Sequence, residues 1–353
     1  MKKLTPQNLR YQKKHSRKEF RKNVKRKNRK YSGNDIVLKN RYDSKIGNYV
    51  YEGPHYVGPK RIYFKDLIAP KIFNLQYENC EKVIEYINKV KLEGKSGHNL
   101  NIVLEDITDI GEGAIAMLLS VLEELRAEGI YMKGAKPRDS EAKDILEKSG
   151  FLKNMETQLD EKNLNSKNTI LKTQGIGELK VNIVGEIRKA NETVWGETGR
   201  NPPLRGTVFE MMRNSSDHAF GPSRDLIWHF AISHDESENR VKFSFVDNGK
   251  GIINSLKTTT LSSVLRIFKD NADILETAFK DGIESRTGLR YRGKGLPTIF
   301  ENYQERYFEN LVVISNDVFL DFDKQIYKTL NVRFRGTYYY WRMSRNCVKA
   351  CYN

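Results

Sequence analysis

Cysteine is scarce in this 353-residue chain. Cys80, Cys347 and Cys351 are an odd number for a disulfide framework, and no export signal accompanies them, so reduced thiols are expected. The stretch CVKAC offers two sulfurs with no histidine pair nearby, which argues against a zinc site. Long apolar runs are also missing: the longest, AIAMLLSVL, is far short of a membrane span. The N-terminus is charged but has no apolar stretch behind it, so it does not read as a secretory signal. A cytoplasmic protein without membrane association is the expectation. Neither G-x-x-x-x-G-K-[ST] nor a G-x-G-x-x-G opening a βαβ unit occurs, which excludes the P-loop and the dinucleotide-binding turn.

Acidic residues are nearly absent from the first thirty positions. That segment holds fourteen Lys or Arg against the single acid Glu19, so thirteen of the sixteen net positive charges lie there and the remainder is nearly neutral. KKHSRKEFRKNVKRKNRK has no apolar periodicity with which to build a core, so residues 1–30 read as a disordered arm. Such an arm suits nucleic acid or another polyanion, through phosphate neutralisation that weakens steeply with salt.

What remains is enough for a fold. With 38% hydrophobic and 10% aromatic residues the chain can build two globular units. Residues 31–60, rich in Gly, Asn, Tyr and Pro, read as a linker or extended arm, completing a basic front segment over 1–60. From Arg61, CEKVIEYINKVKLEG has helical spacing, LNIVLEDI reads as a buried strand, EGAIAMLLSVLEELRAEG as a helix, IYMKG as a strand and DSEAKDILEKSGF as a helix. Strands alternating with helices of this length imply βαβ units and a mostly parallel sheet. Residues 154–174 are polar and read as a linker, and a long amphipathic helix is predicted over about 177–197.

The pattern over 61–153, carried by IVLEDITDIGEGAIAMLLSVLEELRAEGIYMKG and AKDILEKSGF, resembles the STAS domain of anti-sigma factor antagonists and sulfate transporter tails. In regulatory members a serine at the strand-to-helix turn accepts phosphate. Here the turn reads Gly111, Glu112, Gly113, Ala114, so the resemblance implies a docking or scaffolding role toward a protein partner and no phospho-switch.

The second half carries the chemistry. In VFEMMRNSSDHAF the residues Leu204, Val208, Met211, Met212, Ser215 and Ala219 gather on one helical stripe, the face a helix buries. At about 100° per residue, Glu210, Asn214 and Asp217 share the opposite face. Further on, Val241, Phe243 and Phe245 alternate with Lys242 and Ser244 in a strand predicted to be half-buried, preceded by the hairpin loop HDESEN and ending at Asp247 in DNGKG. After about forty residues without strong period comes RGKGLPTIF, where Gly293 and Gly295 flank Lys294 just before an apolar run that can start a helix and receive phosphate.

In this order, a helix with Glu-x-x-x-Asn, a strand ending Asp-x-Gly-x-Gly, a long segment ending Arg-Gly-x-Gly-Leu, and a strand beginning Gly-Thr in FRGTYYYW resemble the GHKL ATPases. These are gyrase, heat-shock chaperones, histidine kinases and mismatch-repair proteins. The resemblance covers 175–345, and EMMRNSSDHA is most similar to the anti-sigma factor serine kinases, which share a histidine where His218 stands. It implies an α/β sandwich with a mixed sheet and helices on one face, binding ATP and Mg²⁺. Glu210 would orient and deprotonate the attacking water or hydroxyl. Asn214 would hold Mg²⁺ through its side-chain oxygen, beside Asp217. Asp247 would accept a hydrogen bond from the adenine amino group, with Gly249, Gly251 and Thr337 around the base. Arg292, Gly293, Lys294, Gly295 and Leu296 would close on the phosphates as a lid.

No histidine box is recognisable between DNGKGI and RGKGL and no phosphoacceptor histidine helix pair precedes this segment, so a two-component histidine kinase is not expected; nor is a transducer segment like that of gyrase or the mismatch-repair proteins seen after Trp341. Three functions stay open. One is an ATPase used as a conformational switch, with the difference between states placed in residues 254–292 and read by the STAS-like domain, a second protomer in a homodimer, or a partner. Another is a protein serine/threonine kinase of the anti-sigma type. The third is a nucleic-acid-binding protein with a regulatory nucleotide site.

Overall fold

The computed structural model describes residues 36–43, 48–56, 63–152, 168–172, 176–215, 228–259, 268–283, 294–350 and 352. The basic arm, Asp217, His218, Arg292 and Gly293 lie outside these residues. The chain divides into two compact units, Met1–Tyr63 and Phe64–Asn353.

Within the first unit, strands β1 (Ile36–Asp43) and β2 (Asn48–Tyr56) form an antiparallel ladder from Ile36 opposite Tyr56 to Asp43 opposite Asn48, with an irregularity between Leu38 and Asn40. The stretch read as a linker or extended arm is thus extended and paired.

The second unit is an α/β structure that begins with β3 (Phe64–Ile68), β4 (Ile72–Phe73), α1 (Tyr77–Lys95), β5 (Asn99–Val103), β6 (Asp109–Ile110), α2 (Glu112–Ala127), β7 (Met132–Ala135) and α3 (Ser140–Lys148). Helices connect successive strands, so β3, β5 and β7 pair in parallel, as the alternating pattern predicts. Helix α1 buries Cys80, Val83, Ile84, Ile87 and Val90 at helical spacing. Helix α3 starts where Asp139 accepts from the N–H groups of Glu141 and Ala142, at 3.1 and 2.9 Å.

A second sheet follows, built from β8 (Thr169–Lys172), β9 (Trp228–Asp235), β10 (Arg240–Asp247), β11 (Glu309–Asp321) and β12 (Ile326–Met343) in the order β11-β12-β10-β9-β8. Between its strands lie α4 (Ile176–Trp195), α5 (Pro202–Asn214), α6 (Ile252–Thr259), α7 (Asn271–Lys280) and α8 (Gly295–Gln304). Several features depart from the sequence reading. Every pairing described in this sheet is antiparallel, not mixed; short turns at residues 236–239 and 322–325 fold β9 onto β10 and β11 onto β12. The final residues of the segment read as a linker form the edge strand β8. And β12 does not begin at Gly336: it starts ten residues earlier and carries Gly336-Thr337 through its middle.

Nor are helices confined to one face. On one side Trp228, Phe230, Phe243, Phe245, Tyr339 and Trp341 pack against α4, α5, α7 and α8, with Phe243 stacked on Trp341 at 5.3 Å between ring centroids. On the other, Ala231, Val246, Ile314, Phe334 and Tyr338 share an apolar cluster with α1 and α2. The C-terminal half of β10, read as half-buried, is therefore buried on both faces, because α2 covers the face that its alternation leaves for solvent. Among the described residues no helix is long and apolar enough to cross a membrane.

Candidate functional site

Helix α5 has a fixed starting point. Asn201 accepts from the N–H of Leu204 at 3.1 Å while its own amide donates to Asn191, and Pro202 and Pro203 occupy the first helical positions, where a missing N–H costs nothing. Leu204, Val208 and Met211 are fully buried, each contributing about 1.5–3 kcal/mol from its burial. This anchors the polar side. At the far end Ser215 turns its hydroxyl toward both the Met211 carbonyl, at 3.1 Å, and Asp247 Oδ2, at 2.9 Å.

Asp247 is the last residue of β10 and is almost wholly buried. Its Oδ1 accepts from the N–H of Gly249 at 2.8 Å, and Thr337, opposite it in the ladder, supplies backbone and side-chain hydrogen bonds. Burial pushes the carboxyl up to about 6, and the hydrogen bonds from Gly249, Ser215 and Thr337 oppose that rise. A carboxylate has about four lone-pair sites, so a further donor can still be accepted.

Two glycines shape the backbone on either side of Asp247. Gly336, at φ 137°, passes so near Asp247 that a side-chain carbon on it would overlap the Asp247 carbonyl oxygen. Gly251, at φ 80°, turns the loop against Asn316, whose amide donates to the Lys250 carbonyl at 2.8 Å and accepts from the N–H of Asn254 at 3.1 Å. Gly251 thus shapes the turn and does not touch the carboxylate. Ser315 fastens the same loop by accepting from the Ile252 N–H at 2.7 Å.

The polar side of α5 meets the start of α8. A carbon added at Gly295 would stand 2.6 Å from Glu210 Oε2 and 3.2 Å from Asn214 Oδ1. Glu210, partly exposed, pairs with Arg213 at 2.5 Å. The Asn214 amide lies against the Tyr339 hydroxyl, yet neither Asn214 Nδ2 nor Tyr339 Oη makes a hydrogen bond of standard geometry, which leaves two buried polar atoms unpaired. Asn302 ties the two helices together by donating to Thr207 Oγ1 at 3.0 Å. Lys294 precedes α8 and is exposed, and Leu296, partly buried, packs on the apolar cluster below.

The structure therefore brings Asp247, Gly249 and Thr337 together at one end of α5, and Glu210, Asn214 and Gly295 along its polar side. Three partners went unread in the sequence: Arg213, Asn316 and Ser215. A signal existed for Ser215, the hydroxyl on an otherwise apolar stripe, since a buried hydroxyl requires a partner. Among the described residues no three His, Cys, Asp or Glu side chains cluster as a metal site. Asn214 offers a hard oxygen at a spot where its nitrogen is left unpaired, which fits one protein ligand to a cation otherwise held by phosphate and water.

No family model and no curated protein matches the chain.

Proposed function

We propose that residues 175–345 bind ATP with Mg²⁺ in the manner of a GHKL-type module and hydrolyse it, working as a nucleotide-driven switch. The observation that carries this is the Asp247 carboxylate: it is buried, held by Ser215, Gly249 and Thr337, and its two oxygens can accept a further donor. A buried carboxylate that is kept at such cost in a neutral polar shell suits a ligand that donates a hydrogen bond, as the adenine amino group does. The phosphates would extend along α5 toward the N-terminus of α8, where the N–H groups following Lys294 and the helix dipole favour negative charge.

Asn214 Oδ1 would hold Mg²⁺, which supplies charge neutralisation for the phosphates. Glu210 sits one helical turn earlier on the same side and would take a proton from the attacking water, with Arg213 fixing its carboxylate in place. The contact between Glu210, Asn214 and Gly295 supports a lid that begins at α8 and closes against α5.

The test is calorimetric titration of the full chain with ATP and ADP, with and without Mg²⁺, beside Glu210→Ala. Binding retained and turnover lost in Glu210→Ala supports this function. No heat with either nucleotide at millimolar concentration removes it.

A further inference from the structure

Asn248 follows Asp247 directly and is buried, yet its side-chain amide finds no partner in its own sheet. It reaches across to α2. Asn248 Nδ2 donates to the Ser120 carbonyl at 3.0 Å, and the Ser120 hydroxyl lies 3.0 Å from Asn248 Oδ1, sharing its proton with the Met117 carbonyl at 2.8 Å. Ser120 is fully buried in the middle of α2, where most of its neighbours are apolar. A hydroxyl and an amide placed in such an interface are costly unless satisfied, and here they satisfy each other.

Described contacts bond helix α2 to the sheet at other levels too. Glu112, at its first residue, lies 3.4 Å from Lys242, and Glu123 lies 2.8 Å from Nε2 of the fully buried His229. Those contacts hold α2 to β10 and β9. Among the described contacts of α2, the Ser120–Asn248 pair is the one that meets the turn presenting Asp247 and the N–H of Gly249, so a movement of α2 along β10 is passed to that turn.

We propose that Ser120 is a positioning residue of the candidate nucleotide site: through Asn248 it fixes the Asp247–Gly249 turn, and the seat of α2 on the sheet sets the affinity for adenine. This rests on the ATP function proposed above. The linkage is reciprocal, so nucleotide in the site tightens α2 by the same free energy with which a well-seated α2 tightens nucleotide. The layer formed by residues 64–152 is then a working part of the site and the place where its state is sensed.

The experiment compares the full chain with Ser120→Ala, Asn248→Ala, Ser120→Cys and Glu123→Ala. It reads ATP affinity, the ratio of ATP to ITP affinity, the unfolding midpoint, and hydrogen exchange of residues 112–127 with and without ATP. ITP lacks the amino group that Asp247 would accept. Ser120→Ala and Asn248→Ala are expected to weaken ATP about tenfold and to narrow the ATP:ITP ratio, while Ser120→Cys, with a weak donor of similar size, recovers part of both. Glu123→Ala removes the partner of a buried histidine and should lower the unfolding midpoint with the ratio unchanged. ATP is expected to slow exchange in 112–127 in the wild type and not in Asn248→Ala.

An unchanged ATP:ITP ratio in Ser120→Ala and Asn248→Ala, in a wild type that binds ATP selectively, overturns the positioning role and leaves the ATP function standing. A ratio narrowed equally by Glu123→Ala shows general loosening and also overturns it. A wild type that ignores ATP ends both proposals together.

Discussion

Ser215 Oγ lies 2.9 Å from Asp247 Oδ2, joining the last turn of α5 to the end of β10 where both residues are buried. A helix that offers Glu210 and Asn214 on one side is thereby registered against the carboxylate at the far end of the site. The distance between the two ends of the candidate site is thus set by one hydrogen bond and the apolar stripe beneath it.

Asp247 makes the protein's stability depend on pH with a defined sign. Its carboxyl titrates near 6 in the fold against 3.8 as a free group, so the folded state binds more protons between those values. Stability should therefore fall as pH rises from about 4 through 6, by roughly 1–3 kcal/mol from this group. Asp247→Asn is expected to remove that slope and to be the more stable protein above pH 6, measured by urea unfolding at a series of pH values.

Nucleotide affinity should run the opposite way. If the ionised carboxylate accepts the adenine amino group, affinity drops about tenfold per pH unit below 6. Ser215→Ala removes a hydrogen bond that favours the charged form, so the midpoint of this profile should move upward and ATP should bind more weakly at pH 7. Fluorescence titrations between pH 5 and 8 decide this.

Gly295→Ala separates folding from turnover. The added carbon meets the carboxylate end of Glu210, a flexible side chain that can swing aside, so stability should change by less than about 1 kcal/mol. Displacing Glu210 should nonetheless lower phosphate release at least tenfold. Thermal unfolding and a phosphate-release assay on the same sample give both values.

Gly336→Ala has no such escape. The obstacle is the Asp247 backbone carbonyl, and φ 137° is unsuited to a side chain, so a loss of more than about 3 kcal/mol or an insoluble product is expected. Asn201→Ala, which removes the cap of α5, should cost about 1 kcal/mol in urea unfolding.

Much of this organisation can be read locally. The 3.6-residue spacing of Val83, Ile84, Ile87 and Val90 and the alternation of Val241, Phe243 and Phe245 each depend on near neighbours, and each appears in the structure as a buried face. DNGKG and the polar side of α5 are legible for the same reason. What stays hidden is whatever depends on a distant partner. Ser244 and Val246 look solvent-facing until α2 is laid over them. Gly336 looks like a strand start until the Asp247 carbonyl is set against it. Ser120 sits in a run of small and apolar residues that gives no hint of Asn248, more than a hundred positions later.

The most direct test is competition between ATP and ITP for the full chain at pH 7.5, repeated with Asp247→Asn. The account predicts that the wild type prefers ATP at least tenfold and that Asp247→Asn loses this preference. Equal affinity for the two nucleotides in the wild type, or a preference untouched by Asp247→Asn, would contradict the role assigned to this carboxylate.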